Sequence, residues 1–227
     1  MNAFYKSMKA TFGWIFKRLY RVKVVNPEKE VFGQPYIVCC NHTSMMDGPM
    51  ITVGLKTPVR CMAKQEIFKV PFVGMFLKSM GAFPIDRSKG DIAAVRLSID
   101  ILKKGECLGI FPQGTRMPYV NPEDAEIKSG IGMFADRAGV GILPVCVRTK
   151  KNKVGIFRKT RFIIGDFIPP QDLKFEGYAG REKYQKIADY AFSKVAELYN
   201  EDVRYFEEKK RLKKEKKQRK KDKKSKK

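Results

Sequence analysis

The stretch from Asn41 to Gly48, NHTSMMDG, holds the only histidine of the chain, with an aspartate five positions further on. An imidazole beside a carboxylate can work as a general base, the carboxylate orienting the ring and stabilising its cation. Whether the two meet depends on local structure. On one continuous helix, residues five apart point about 140° away from each other. The pair therefore needs His42 on a turn and Asp47 within the first turn of a helix. A second account needs no chemistry: Ser44 and Asp47 fit the S-x-x-[DE] helix-capping pattern, and a single histidine can be structural. This stretch alone leaves both accounts open.

Two arginines follow other apolar runs, Arg87 in GAFPIDR and Arg116 in FPQGTR. In the second, a proline closes the run and Gly114 permits a tight turn. Two guanidinium groups in one crevice with a His/Asp pair would grip a phosphate while a base acts on a group attached to it. Taken singly, each reads equally well as a solvated surface charge.

Stepping along the chain, the short runs YIVCCN (36–41), VRCMA (59–63), GAFPI (81–85), CLGIFP (107–112), GILPVCV (141–147) and RFIIGD (161–166) predict strands, several of them fully buried. Helical patterns lie between them: Ser44 to Val53, Glu66 to Ser79 broken at Pro71 and Gly74, Asp91 to Lys104, Ile131 to Ala138, and Arg181 to about Phe206. The alternation predicts an α/β single-domain sandwich with a largely parallel central sheet flanked by helices. Its ligand site belongs at the strand carboxyl ends. That places His42 in a strand-to-helix turn and each arginine just past a strand. The segment from Met117 to Glu126, rich in Pro, Asn and acids, reads as a surface loop, either inert or a lid.

With 227 residues there is room for one substantial core, and 47 Lys and Arg against 24 Asp and Glu give a formal charge of +23. Such a balance points to an anionic partner: nucleic acid, an anionic membrane surface or an acidic carrier. Residues 209–227 hold 14 basic and 2 acidic side chains and almost nothing apolar. They predict a disordered tail over 207–227, helical at most near its start. The five cysteines show no C-x-x-C spacing and sit mostly in apolar runs, which suits buried thiols, and with one histidine a zinc site would need unusual ligands. Residues 1–20 fit neither a signal peptide nor a spanning helix, since the longest uncharged run, Ala10 to Phe16, is seven residues. Their stripe of Phe4, Met8, Phe12, Ile15 and Leu19, widened by Tyr5, Phe16 and Tyr20 and edged by cations, suits a helix in a membrane interface. Packing against its own domain, residues 21–206, explains the same pattern.

Four ordered blocks, NHTSMMD, GAFPIDR, FPQGTR and ILPVCV, spread over about residues 20–170, resemble the phospholipid and glycerol phosphate acyltransferase family, most closely its 1-acylglycerol-3-phosphate acyltransferases. Gln113 stands where many members carry Glu, and Met117 where Ser often follows the arginine. The resemblance implies a glycerol-3-phosphate acyltransferase-like fold and acyl transfer from a thioester to the free hydroxyl of 1-acyl-glycerol 3-phosphate, giving phosphatidic acid. It implies His42 as base and Asp47 as its partner. Arg87 and Arg116 would hold the phosphate with Lys128 as a weaker contact, and Gln113, Gly114 and Thr115 would face the oxyanion or the acceptor. It calls for no cofactor and no metal, with acyl-CoA or acyl-carrier protein as a substrate. A lipid acceptor further implies a peripheral or monotopic place on the cytoplasmic face of the cell membrane. The same fold acting on glycerol 3-phosphate or another lysophospholipid stays open. A basic nucleic-acid-binding protein is the non-enzyme alternative, but the chain has no RNP aromatic pattern, no zinc finger and no GXXG clamp in a suitable context, so no specific nucleic acid is expected.

Overall fold

A computed structural model describes the backbone of residues 3–85 and 92–225 and the side chains of residues 9–85 and 92–215. Helix α1 (Ala3–Leu19) leads into strand β1 (Val22–Val25). Then come β2 (Tyr36–Cys40), α2 (Asp47–Gly54), β3 (Val59–Lys64), two short helices α3 (Gln65–Phe68) and α4 (Val73–Ser79), and β4 (Phe83–Ile85). The second half runs α5 (Ile92–Lys103), β5 (Cys107–Ile110), α6 (Gly130–Ala138), β6 (Gly141–Thr149), β7 (Thr160–Ile164) and α7 (Gly180–Ser225).

The strands form one seven-stranded sheet in the order β1-β7-β6-β2-β5-β3-β4. Every pairing is parallel except β6 with β7. Parallel neighbours require crossovers, and the helices supply them, covering both faces. That is why β2 (YIVCC) and β5 (CLGI) are buried along their whole length and read as unbroken apolar runs. One face packs Phe16 of α1 and Tyr20 just after it with Met50, Ile51 and Val53 of α2; the other packs Ile101 and Leu102 of α5, Ile131 and Phe134 of α6, and Ile187, Ala191 and Val195 of α7. Helices α6 and α7 touch closely at Gly132, where a Cβ would fall 2.0 Å from the carbonyl oxygen of Tyr184.

The predicted α/β sandwich and all six predicted strands are present. Three expectations change. Strand β1 was hidden inside the N-terminal pattern, because VKVV is only four residues long and adjoins an amphipathic helix. At α1 the fully buried contacts are Phe16 and, just past the helix, Tyr20, with Phe12 and Leu19 of the expected stripe packed beside them, whereas Ile15 of that stripe is half exposed beside an exposed Trp14. The basic C-terminal stretch, predicted disordered, continues α7 as helix to Ser225. Lys, Arg, Gln and Glu are good helix formers, and extending an existing helix avoids the nucleation cost. Among the described residues no helix is long and apolar enough to cross a membrane. Arg87 lies outside the described residues.

Candidate active site

Strand β2 ends at Cys40, and the next residue keeps its ladder going by another route. The buried Asn41 side chain donates from Nδ2 to the Val147 carbonyl (2.9 Å) and accepts at Oδ1 from the Val147 N–H (2.8 Å). A side-chain amide mimics one more residue of strand pairing to β6, so the main chain is free to turn at His42 while staying fixed in place.

His42 and Asp47 meet across that turn. The ring Nδ1 lies 2.9 Å from Asp47 Oδ2, with Asp47 fully buried and the first residue of α2. The same oxygen accepts from the N–H groups of Thr43 (2.5 Å) and Ser44 (2.7 Å), and Ser44 Oγ accepts from the Met46 N–H. The capping account and the pairing account therefore describe one carboxylate, which closes the turn and faces the imidazole. An ionised carboxylate only accepts, so Nδ1 carries the proton and Nε2 keeps its lone pair on the far side of the ring. Asp47 Oδ1 is buried without a hydrogen-bond partner.

The turn after β5 grips His42 by its backbone. Gln113, buried, accepts at Oε1 from the His42 N–H, and the Met117 N–H donates to the His42 carbonyl at 2.8 Å. Phe111 stacks on the imidazole, centroids 4.2 Å apart and planes 18° from parallel. Gly114 takes φ +70°, and a Cβ there would come within 3.0 Å of the Lys128 side chain. Lys128 thus lies over the turn, and its own N–H is bonded to the Pro112 carbonyl at 2.8 Å.

Phe111 also lines a cavity of about 310 Å³, walled by Met62, Val95, Ile110, Ile131 and Phe134, with Gly114 and Lys128 among its remaining lining. The structure thus joins His42, Asp47 and Gln113, through Phe111, to an apolar recess that Gly114 and Lys128 help to line. Thr115 and Arg116 follow on the exposed part of the same turn. Sequence reasoning missed Asn41 and Phe111, and did not foresee that the Gln113 oxygen holds the His42 N–H. A buried-type Asn at a strand end was the available signal for the first. The thiols beside the site are quiet: burial, then the nearby Asp47 charge, pushes Cys40 well up, and burial does the same to Cys39. Among the described residues no three His, Cys, Asp or Glu side chains gather in a way that would hold a metal.

A mostly parallel sheet with an imidazole–carboxylate pair and an apolar recess at its carboxyl edge is the architecture of an α/β enzyme. Residues 21–148 match the Acyltransferase family. The chain is 30% identical over 182 residues to the 1-acyl-sn-glycerol-3-phosphate acyltransferase of Bacillus subtilis, covering 79% of this chain and 88% of that one. It is 30% identical over 217 residues to the Escherichia coli protein of the same name, covering 85% and 82%. Among solved structures, the 1-acyl-sn-glycerophosphate (LPA) acyltransferase PlsC of Thermotoga maritima superposes with a TM-score of 0.59 at 26% identity, covering 86% of this chain and 78% of that one. The chain belongs to the acyltransferase family.

Proposed function

We propose that this enzyme transfers a fatty acyl group from acyl-CoA or acyl-carrier protein to the free hydroxyl of 1-acyl-glycerol 3-phosphate, forming phosphatidic acid at the cytoplasmic face of the membrane. The observation that carries the reading is the His42–Asp47 contact at 2.9 Å, with the ring stacked on a phenylalanine that also walls the apolar recess. The names of the relatives favour this acceptor.

In the reaction, Nε2 of His42 takes the proton of the acceptor hydroxyl as its oxygen attacks the thioester carbonyl carbon. A C–O bond forms, the C–S bond breaks on collapse of the tetrahedral intermediate, and the departing thiolate receives the proton from the imidazolium. Asp47 holds the ring in the required tautomer and stabilises its cation. The substrate hydroxyl is the nucleophile, so no protein nucleophile and no cofactor is needed. The recess of about 310 Å³ takes acyl chain away from water. Arg116, Lys128 and Arg87 meet the phosphate. The test is an assay of purified protein with 1-acyl-glycerol 3-phosphate, glycerol 3-phosphate and other lysophospholipids, each offered with acyl-CoA and acyl-carrier protein. Phosphatidic acid formed by the wild type and not by His42→Ala supports the reading; equal turnover by both overturns it.

A further inference from the structure

The topology sorts the connections of the molecule by end. Segments that follow β2, β3, β5 and β6 must emerge at the carboxyl end of the sheet, beside His42, and the same end displays large apolar side chains. On the turn between α3 and α4, Val70 and Phe72 are exposed, Phe72 to 80%. On the β6–β7 connection Ile156 and Phe157 are exposed, Phe157 to 71%. Both aromatic tips have positive φ, 61° at Phe72 and 60° at Phe157, backbone that bulky residues rarely adopt. Folding alone would favour Gly at these positions, so the aromatic side chains need another reason.

The two tips straddle the site. In the sheet order, β3, which leads to the Phe72 turn, and the β6–β7 pair, which the Phe157 connection joins, lie on opposite sides of β2 and β5, and the β2 turn carries His42. Cations accompany the apolar tips: Lys69 beside Val70, and Lys150, Lys151, Lys153, Arg158 and Lys159 around Ile156 and Phe157, all exposed. In the neighbouring 122–124 segment, Glu123 is turned to α7, where it accepts from Asn200. Helix α7 also ends its packing here. Asp202 binds Arg148 at the end of β6 and Arg161 at the start of β7, each at 2.6 Å, and the lysine-rich remainder of the helix departs from this same end. Apolar tips ringed by cations match an anionic bilayer, whose headgroups take the charges while its acyl region takes the rings.

We propose that the carboxyl end of the sheet is a lipid-docking surface that seats on an anionic bilayer through Phe72 and Phe157, with His42 between them. The proposal rests on the phospholipid acyltransferase reading and adds the surface by which a lipid acceptor reaches the base. The double variant Phe72→Gly, Phe157→Gly tests it, because glycine takes positive φ without strain and the fold is retained. Co-sedimentation with mixed phosphatidylglycerol and phosphatidylcholine vesicles should weaken about tenfold or more, at low and high salt alike. Transfer to a monodisperse short-chain acceptor, 1-hexanoyl-glycerol 3-phosphate, should be unchanged, with an equal or higher Tm. Wild-type vesicle affinity in the double variant overturns the docking surface, as does a wild-type chain that binds acyl-carrier protein or RNA but not vesicles. Failure of the wild type to acylate the short-chain acceptor would instead remove the acyltransferase reading, and the vesicle arm still decides the surface.

Discussion

Two neighbouring turns leave the carboxyl ends of β2 and β5, and they are built in opposite ways. In the turn from Asn41 to Asp47 the side chains are fixed: Asn41 by the Val147 peptide, His42 by Asp47 and Phe111, and Asp47 by two amides. In the turn from Pro112 to Met117 the side chain of Gln113 and the backbone at Gly114 and Met117 are fixed, while Thr115 and Arg116 extend into solvent. Proton transfer falls off steeply with misplacement, so a base has to be held by its surroundings. A phosphate can be met by a hydrated guanidinium that reorganises as it binds. Fixed and adaptable groups sit side by side because the adaptable turn also supplies the clamps on the fixed one.

The sharpest way to break that contrast is at the base. His42→Ala should lower turnover by about 10² to 10⁴-fold with the circular dichroism spectrum unchanged. Asp47→Asn should come next, with a loss of similar order in turnover because the amide cannot stabilise the imidazolium. Urea denaturation should also show about 1–3 kcal/mol lost, since the acceptor of the Thr43 and Ser44 amides is weakened; stability lost with rates intact would leave Asp47 only its capping role. Gln113 sharpens the comparison. Gln113→Leu strands the buried His42 N–H, so stability should fall by about 1–3 kcal/mol and kcat about tenfold with KM little changed, whereas Gln113→Glu keeps an acceptor and should recover most of both. Equal behaviour of the Leu and Glu variants would show that the bond from His42 does not position the ring.

On the adaptable turn the effect should be smaller and of another kind. Arg116→Ala should raise KM for phosphate-bearing acceptors about tenfold with kcat nearly kept, and Arg116→Lys should restore only part of it, because an ammonium lacks the paired donors. A kcat effect as large as that at His42 would erase the distinction between the turns. Smallest for the chemistry is removal of residues 209–227, which should leave turnover on a short-chain acceptor unaltered and weaken binding to anionic vesicles at low salt, much less at high salt. Unchanged binding at low salt would separate the basic helix from lipid altogether.

Much of this was legible in the residues. Fully buried parallel strands announce themselves as unbroken apolar runs, and a strand followed by a helix start places His42 and Asp47 within reach of each other. Contacts made by backbone atoms across long sequence distances leave no such trace. Gln113 and His42 are 71 positions apart, and the Asn41 amide pairs with a peptide 106 positions away. The charged clamp of Asp202 with Arg148 and Arg161 is equally invisible in a chain crowded with cations. The C-terminal stretch misled for a different reason: a charge run that cannot form a core can still prolong a helix already anchored by one.

The anchoring of α7 has a consequence for the timing of encounters. Past Asp202 the helix runs on to Ser225, roughly 35 Å at 1.5 Å per residue. Screening at physiological salt cuts off a charge beyond about 8 Å, so lysines on the globular surface are felt only near contact. A rigid arm carries its charge several screening lengths out, toward an anionic partner that the body of the enzyme has not yet reached. Its effect therefore belongs to the speed of arrival, while the length of stay is set by groups at the body itself. Stopped-flow on the chain lacking residues 209–227 separates the two, with a slower association rate and a nearly unaltered dissociation rate as the expected outcome.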